Sequence, residues 1–198
     1  MSSPETRPSL TLVGVTEPLR SAVEEALQAP ELDVLVAGFG DTRVASFLEL
    51  SQADWDATVA GARTAFLAAV RHGAALVEAG RPGRIILLSS SPAVRPVHGA
   101  ALQAIAGAFL TTAAQVAAVE LGSGGVTVNV VAVGWIEGRD PEGLAEGAPA
   151  GRLARPEEIA SVCAFLASAS ASYVNGAVIT ADGGFSVTKS GGGSPLLR

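Results

Sequence analysis

Five short apolar runs set the terms for any fold of this chain: LTLVGV (10–15), DVLVAG (33–38), RIILLS (84–89), VTVNVVAV (126–133) and AVITA (177–181). Each is short, and most are too continuously apolar for a strand with one wet face, so they read as buried strands. Helical patterns lie between them. That alternation predicts a mostly parallel sheet with helices on its faces, in one domain over 1–186 and a flexible tail over 187–198. The first helix is the clearest. In EPLRSAVEEALQ, Leu19, Ala22, Val23, Ala26 and Leu27 recur at helical spacing, with Arg20, Glu24 and Glu25 opposite. Pro18 suits its first turn, with Thr16 as the cap. Three more helices are predicted over 52–79, 99–121 and 156–168, the last opening on Pro156, Glu157 and Glu158.

The helices at 52–79 and 99–121 are apolar on several faces. Between Gly99 and Leu121 the first charged residue is Glu120. The whole chain shares this bias: 48% of its 198 residues are hydrophobic and 16% charged, and its mean hydropathy is +0.41. Such a surface needs extra cover. The apolar stretches are Ala- and Gly-rich and interrupted, so no window of 18 or so residues is expected to cross a membrane, and MSSPETRPSL carries no signal-type run. Oligomerisation is the expected cover. Net charge is −6 with no basic run, which argues against nucleic-acid binding. The one cysteine, Cys163, rules out an internal disulfide or a multi-cysteine metal site and reads as a small buried hydrophobe. A cytoplasmic protein without metal is expected.

The C-terminal half carries a family pattern. GRIILLSSS, AAQVAAVELGSGGVTVNVVAVGWIEG and GRLARPEEIASVCAFLASASASYVNGAVITADGGF together resemble the short-chain dehydrogenase/reductase family, of the 3-oxoacyl-carrier-protein reductase type. DWDATVAGARTAF is similar to the helix after that family's fourth strand. The resemblance spans roughly 9–186. It implies a truncated Rossmann-like α/β fold of about five parallel strands with helices on both faces and, in complete members, NAD(P)-dependent hydride transfer by an Asn-Ser-Tyr-Lys set. Three departures follow from the same comparison. Between the first helix and DVLVAG only APE remains, where the family has two further β-α units that hold the adenosine half of the dinucleotide. In the phosphate-binding turn Gly14 is kept, while Pro18 and Arg20 replace later glycines and Glu17 adds negative charge. The tyrosine and lysine positions fall on Gln103 and Gly107, and the asparagine position on Ala62. The chain's single tyrosine and single lysine, Tyr173 and Lys189, lie elsewhere, so no Tyr-x-x-x-Lys pair exists.

Of the family's set only the serine remains, Ser90, thirteen residues before Gln103. It reads either as a hydrogen-bond donor to a substrate carbonyl or as a local turn serine beside Pro92. Arg95, His98, Gln103, Trp135, Glu137, Arg139 and Asp140 are expected at the C-terminal ends of the strands, where open α/β sheets place ligands. His98 is a candidate general base, paired with Ser90 or Glu137, or else an exposed loop residue; His72 reads as a helix-surface residue. Three functions stay open. The first is a non-catalytic subunit without a nicotinamide site or bound cofactor. It would assemble through the helices at 52–79 and 99–121, with itself or with an intact family member. The second is a cofactor-independent isomerase, dehydratase, cyclase or lyase acting on a small carbonyl compound through Ser90 and His98. The third is an NAD(P)-dependent oxidoreductase.

Overall fold

The structure is a computed structural model describing residues 8–140 and 147–188. Its sheet runs β1 (Leu10–Val13), β2 (Asp33–Gly38), β3 (Gly83–Ser90), β4 (Val126–Val133) and β5 (Val178–Ala181), all parallel and in that spatial order. The expected five strands are present; the first is two residues shorter than its apolar run, because the backbone turns at Gly14 with φ +61°. Gly14 is required there. A Cβ at this position would stand within bonding reach of the Gly38 carbonyl oxygen, and Gly40 donates its N–H to the Gly14 carbonyl at 3.1 Å.

Side-chain alternation sends successive residues of each strand to opposite faces. On one face Val34, Val36, Ile86, Leu88 and Val131 pack under α1 (Leu19–Ala26) and α5 (Pro156–Ala167). On the other, Leu35, Ala37, Ile85, Leu87, Val128 and Val130 pack under α2 (Gln52–Glu78) and α4 (Ala101–Leu121). Fully buried side chains such as Val23 and Leu110 contribute about 2 kcal/mol each through burial. Cys163 lies in the first core with no exposure, and burial pushes its thiol up to about 12, as expected of a packing residue.

Helix starts follow local chemistry. Ser51 and Asp54 form a reciprocal capping box on α2, the Asp54 carboxylate accepting the Ser51 N–H at 2.9 Å. At α5, Glu158 accepts the Arg155 N–H at 2.8 Å and pairs with both Arg152 guanidinium nitrogens at 2.7 Å. The start of α1 differs from expectation. Pro18 is itself the N-cap, and the Thr16 hydroxyl turns to Asp41 at 2.9 Å instead of capping. A one-turn helix, α3 (Ser91–Val94), was not anticipated. His72 is also corrected: it is half-buried, with Nε2 unpartnered, and burial holds its pKa below the usual imidazole value.

The segment Ala101–Gly124 corrects another expectation. It is long and apolar enough to cross a membrane, with a hydropathy of 1.5. In the fold it serves as a sheet-covering helix against β3, β4 and α2. One side of α4 is buried through Leu102, Ala106, Gly107, Leu110, Ala114 and Ala118. The opposite side carries Ile105, Phe109, Val116 and Val119, all exposed. On α2, exposed Val59, Leu67 and Val70 are joined by Phe66, whose ring meets Phe109 edge-on at 5.7 Å.

Candidate functional site

The carboxyl ends of the first four strands open into one cleft of about 370 Å³, at the small end of the range of ligand sites. Each strand contributes the residues that follow it: Glu17 after β1, Phe39–Thr42 and Val44 after β2, Ser89, Ser90 and Pro92 around the end of β3, and Gly134, Trp135 and Gly138–Asp140 after β4. Gln103 from the first turns of α4 completes the wall.

Ser90 ends β3 and is nearly buried. Its hydroxyl donates to the Gln103 carbonyl at 2.8 Å, which ties the strand end to α4. Beside it, Thr111 Oγ1 lies 3.3 Å from Ser89 Oγ and donates to the Gly107 carbonyl at 2.8 Å. Gly107 is the contact point of helix and strand. A Cβ there would stand 2.7 Å from Ser89 Oγ, 2.8 Å from Ala93 Cβ and 2.9 Å from Ser90 Oγ. No side chain fits, so the absence of a lysine at this position is built into the close packing of α4 on β3. Gln103 lines the cleft, and its side-chain Oε1 is buried without a hydrogen-bond partner. The Trp135 ring leans edge-on against Phe185 at 6.2 Å.

The cleft mouth is acidic. Among the described residues Arg139 is the one cation in its lining, and it is engaged by Asp140 at 2.7 Å and by the Gly134 carbonyl at 3.3 Å. Asp140 also accepts the Ile136 N–H at 2.7 Å, which fixes the loop after β4. Glu17 turns back onto α1, its carboxylate accepting the Ser21 hydroxyl at 2.7 Å and the Ser21 N–H at 3.3 Å. Arg20 faces away, bonded to the Val15 carbonyl and to Glu24.

Among the residues named from sequence, Ser90, Gln103, Trp135, Arg139 and Asp140 meet in the cleft. His98 does not. It is exposed on the turn before α4, outside the cleft lining and apart from Ser90. Arg95 donates to the Phe185 carbonyl and to Thr188 and lies over the Phe185 ring, and Glu137 is exposed. The sequence reading missed Phe39, Asp41, Thr42 and Val44. Their segment is drawn over the cleft by a parallel bridge between Ala45 and Ala100, a contact with no local signal. Tyr173 is fully exposed; Lys189 and the leucines of the tail lie outside the described residues. Among the described residues no group of three metal-ligating side chains occurs.

Residues 13–186 match the family model described as Enoyl-(Acyl carrier protein) reductase. The chain is 34% identical over 187 residues to 3-oxoacyl-[acyl-carrier-protein] reductase FabG of Salmonella typhimurium, covering 87% of this chain and 75% of that protein. Among solved structures it resembles acetoin dehydrogenase from Enterobacter cloacae, with a TM-score of 0.71, 32% identity, and 84% and 67% of the two chains covered. It also resembles a protein assigned as a 2-deoxy-d-gluconate 3-dehydrogenase, from Agrobacterium tumefaciens with bound NADP (TM-score 0.72, 27% identity, 88% and 76% covered). These matches run through the cleft-bearing strands and are to reductases and dehydrogenases. They overturn the expectation of a non-catalytic subunit without a nicotinamide site, and they favour the NAD(P)-dependent oxidoreductase among the three readings.

Proposed function

From the premise that this chain belongs to the short-chain dehydrogenase/reductase family, we propose that it is a nicotinamide-linked oxidoreductase acting on a small carbonyl or hydroxy compound in the cleft. The observation that carries the reading is the convergence of Ser90 and Gln103, one from a strand end and one from a helix, on a single cleft at the carboxyl edge of the sheet. The residues present fit the nicotinamide–ribose end of the cofactor. The cleft has the volume for it, Trp135 and Phe39 give flat apolar walls, and Gln103 lines the same cleft. The nicotinamide supplies or accepts a hydride when bound.

The chain's own residues supply binding and polarisation. Ser90 exchanges its bond to the Gln103 carbonyl for one to the substrate oxygen, the role a strand-end hydroxyl is placed to play. Gln103 stands where the family has its tyrosine, and an amide orients a ligand without titrating. The proton on the substrate oxygen is exchanged with water at the cleft mouth.

The test is turnover with NADH and NADPH, read by the absorbance of the reduced nicotinamide, against 3-oxoacyl thioesters, acetoin and sugar-derived ketones. Ser90→Ala should lower kcat by on the order of 100-fold, as for removal of a single polarising donor. The rate should be flat between about pH 6 and 9, because neither Ser90 nor Gln103 titrates there. Absence of turnover with both nucleotides across the panel, or a steep rise of rate through that range, overturns the reading.

Assembly belongs to the same proposal. The exposed stripe of Ile105, Phe109, Val116 and Val119, flanked by Val59, Leu67 and Val70, is suited to a second copy of this chain or a family relative laid along α2 and α4. A cytoplasmic location fits its bacterial reductase relatives.

A further inference from the structure

We propose, resting on the nicotinamide-linked reading above, that this chain holds its cofactor by the nicotinamide–ribose end alone. The pyrophosphate and adenosine go unread, so NADH, NADPH and reduced nicotinamide riboside bind with one affinity. Four observations lead there.

The first is topological. A dinucleotide fold binds its two halves on either side of the strand that opens it, with the adenosine on strands beyond that one. Here α1 leads directly through Leu27–Leu32 into β2, and β2 pairs with β1 and β3. Among the described residues nothing lies beyond β1 to carry an adenine pocket.

The second is the state of the α1 N-terminus, the usual seat of a pyrophosphate. Three of its N–H groups are already bonded within the chain. Arg20 N–H bonds the Thr16 carbonyl at 3.0 Å, Ser21 N–H bonds the Glu17 carboxylate at 3.3 Å, and Ala22 N–H bonds the Pro18 carbonyl at 3.5 Å. Pro18 has no N–H to offer. The Glu17 carboxylate thus occupies the place of an anion.

The third is space. The hollow between the Gly14–Leu19 turn and Gly38–Gly40 holds about 50 Å³, room for one or two waters, and Gly14 is closed against Gly38 and Gly40 by backbone contact. The fourth is charge. Glu17, Asp41 and Asp140 line the adjoining cleft, and among the described residues the one guanidinium in either lining, Arg139, is already bonded to Asp140 and the Gly134 carbonyl. A phosphate that spans hollow and cleft meets three carboxylates and a guanidinium already bonded to one of them. The reduced nicotinamide end carries no charge for those carboxylates to repel and has the volume of the cleft open to it.

The experiment is a titration of the full chain with NADH, NADPH and reduced nicotinamide riboside, read by calorimetry and by quenching of tryptophan fluorescence. The three dissociation constants should agree within about threefold. An NADH affinity thirty-fold or more above that of the riboside overturns this inference while leaving the oxidoreductase reading intact. Binding of none of them at millimolar concentration overturns both. Glu17→Ala supplies the second arm: freeing the Ser21 N–H and removing the charge should tighten NADH five-fold or more without changing the riboside. If NADH and the riboside respond equally to that change, Glu17 does not hold the phosphate's place and the inference fails.

Discussion

Helices α1 and α4 cover the same sheet from opposite sides and meet the outside differently. α1 buries Leu19, Ala22 and Val23 and turns Ser21, Glu24 and Glu25 to water. α4 buries an equally apolar inner side and turns Ile105, Phe109, Val116 and Val119 outward. Burial of an inner face explains α1 completely. It explains only half of α4. The exposed apolar side chains of this contrast are therefore local, concentrated on the outer side of α4, where α1 presents polar and charged ones.

The sharpest way to break this contrast is at the inner contact of α4. Gly107→Leu should destabilise the chain by about 3 kcal/mol, read as a lower denaturant midpoint, because its side chain must displace Ala93 and both serines. Loss of under about 0.5 kcal/mol would show that α4 rides more loosely on β3 than the packing requires. Val23→Ala on α1 should cost roughly 2 kcal/mol, since that side chain has no exposure. The outer faces are compared by charge. Ala108→Glu, at an exposed position of α4, should reduce the molar mass seen by light scattering to that of a monomer, with stability of the separated chain nearly unchanged. Glu25→Gln on α1 should leave the mass as it is. A monomeric parent protein at micromolar concentration would remove the contrast altogether.

The smallest effect lies in pH, and there the two sides should agree. On α2, hydrogen bonds from Ser51 lower the Asp54 carboxyl to about 2; on α5, Arg152 lowers Glu158 to about 2. Both folded values lie below the unfolded ones. Their contribution is present above about pH 4 and is lost as pH falls towards 2. Asp54→Asn and Glu158→Gln should each flatten that acid limb slightly in urea melts, the effect being small because both carboxylates lie at the surface in contact with water.

Much of this architecture is legible because burial is written into the pattern. DVLVAG and VTVNVVAV are strands over their full quoted ranges, since no polar face interrupts them. Ser90 and Gln103 are named by the family resemblance, as the positions of its serine and its tyrosine. The misses share a cause. Asp41 and Phe39 reach the cleft through the Ala45–Ala100 bridge, and His98 misses it because the turn before α4 faces outward; both are settled by contacts between distant segments. Gly107 showed only that a lysine was missing. The distance to Ser89 and Ser90 shows why.

The five strands lie in sequential order, yet α1 and α5 cover one face while α2 and α4 cover the other. Four crossovers that step the same way along a sheet but leave from opposite faces are of opposite handedness. Whichever pair takes the usual right-handed sense, the other is left-handed, a connection found in about 2% of parallel crossovers. For α1 the fold family supplies the origin. In a complete doubly wound sheet the first crossover steps away from the fourth strand, and a helix on that face is then right-handed. With the two intervening units absent, the next strand stands on the other side of β1 while α1 keeps its face. The chirality of the β1–α1–β2 connection is thus the mirror of the one it descends from, reversed without any residue of α1 having to move.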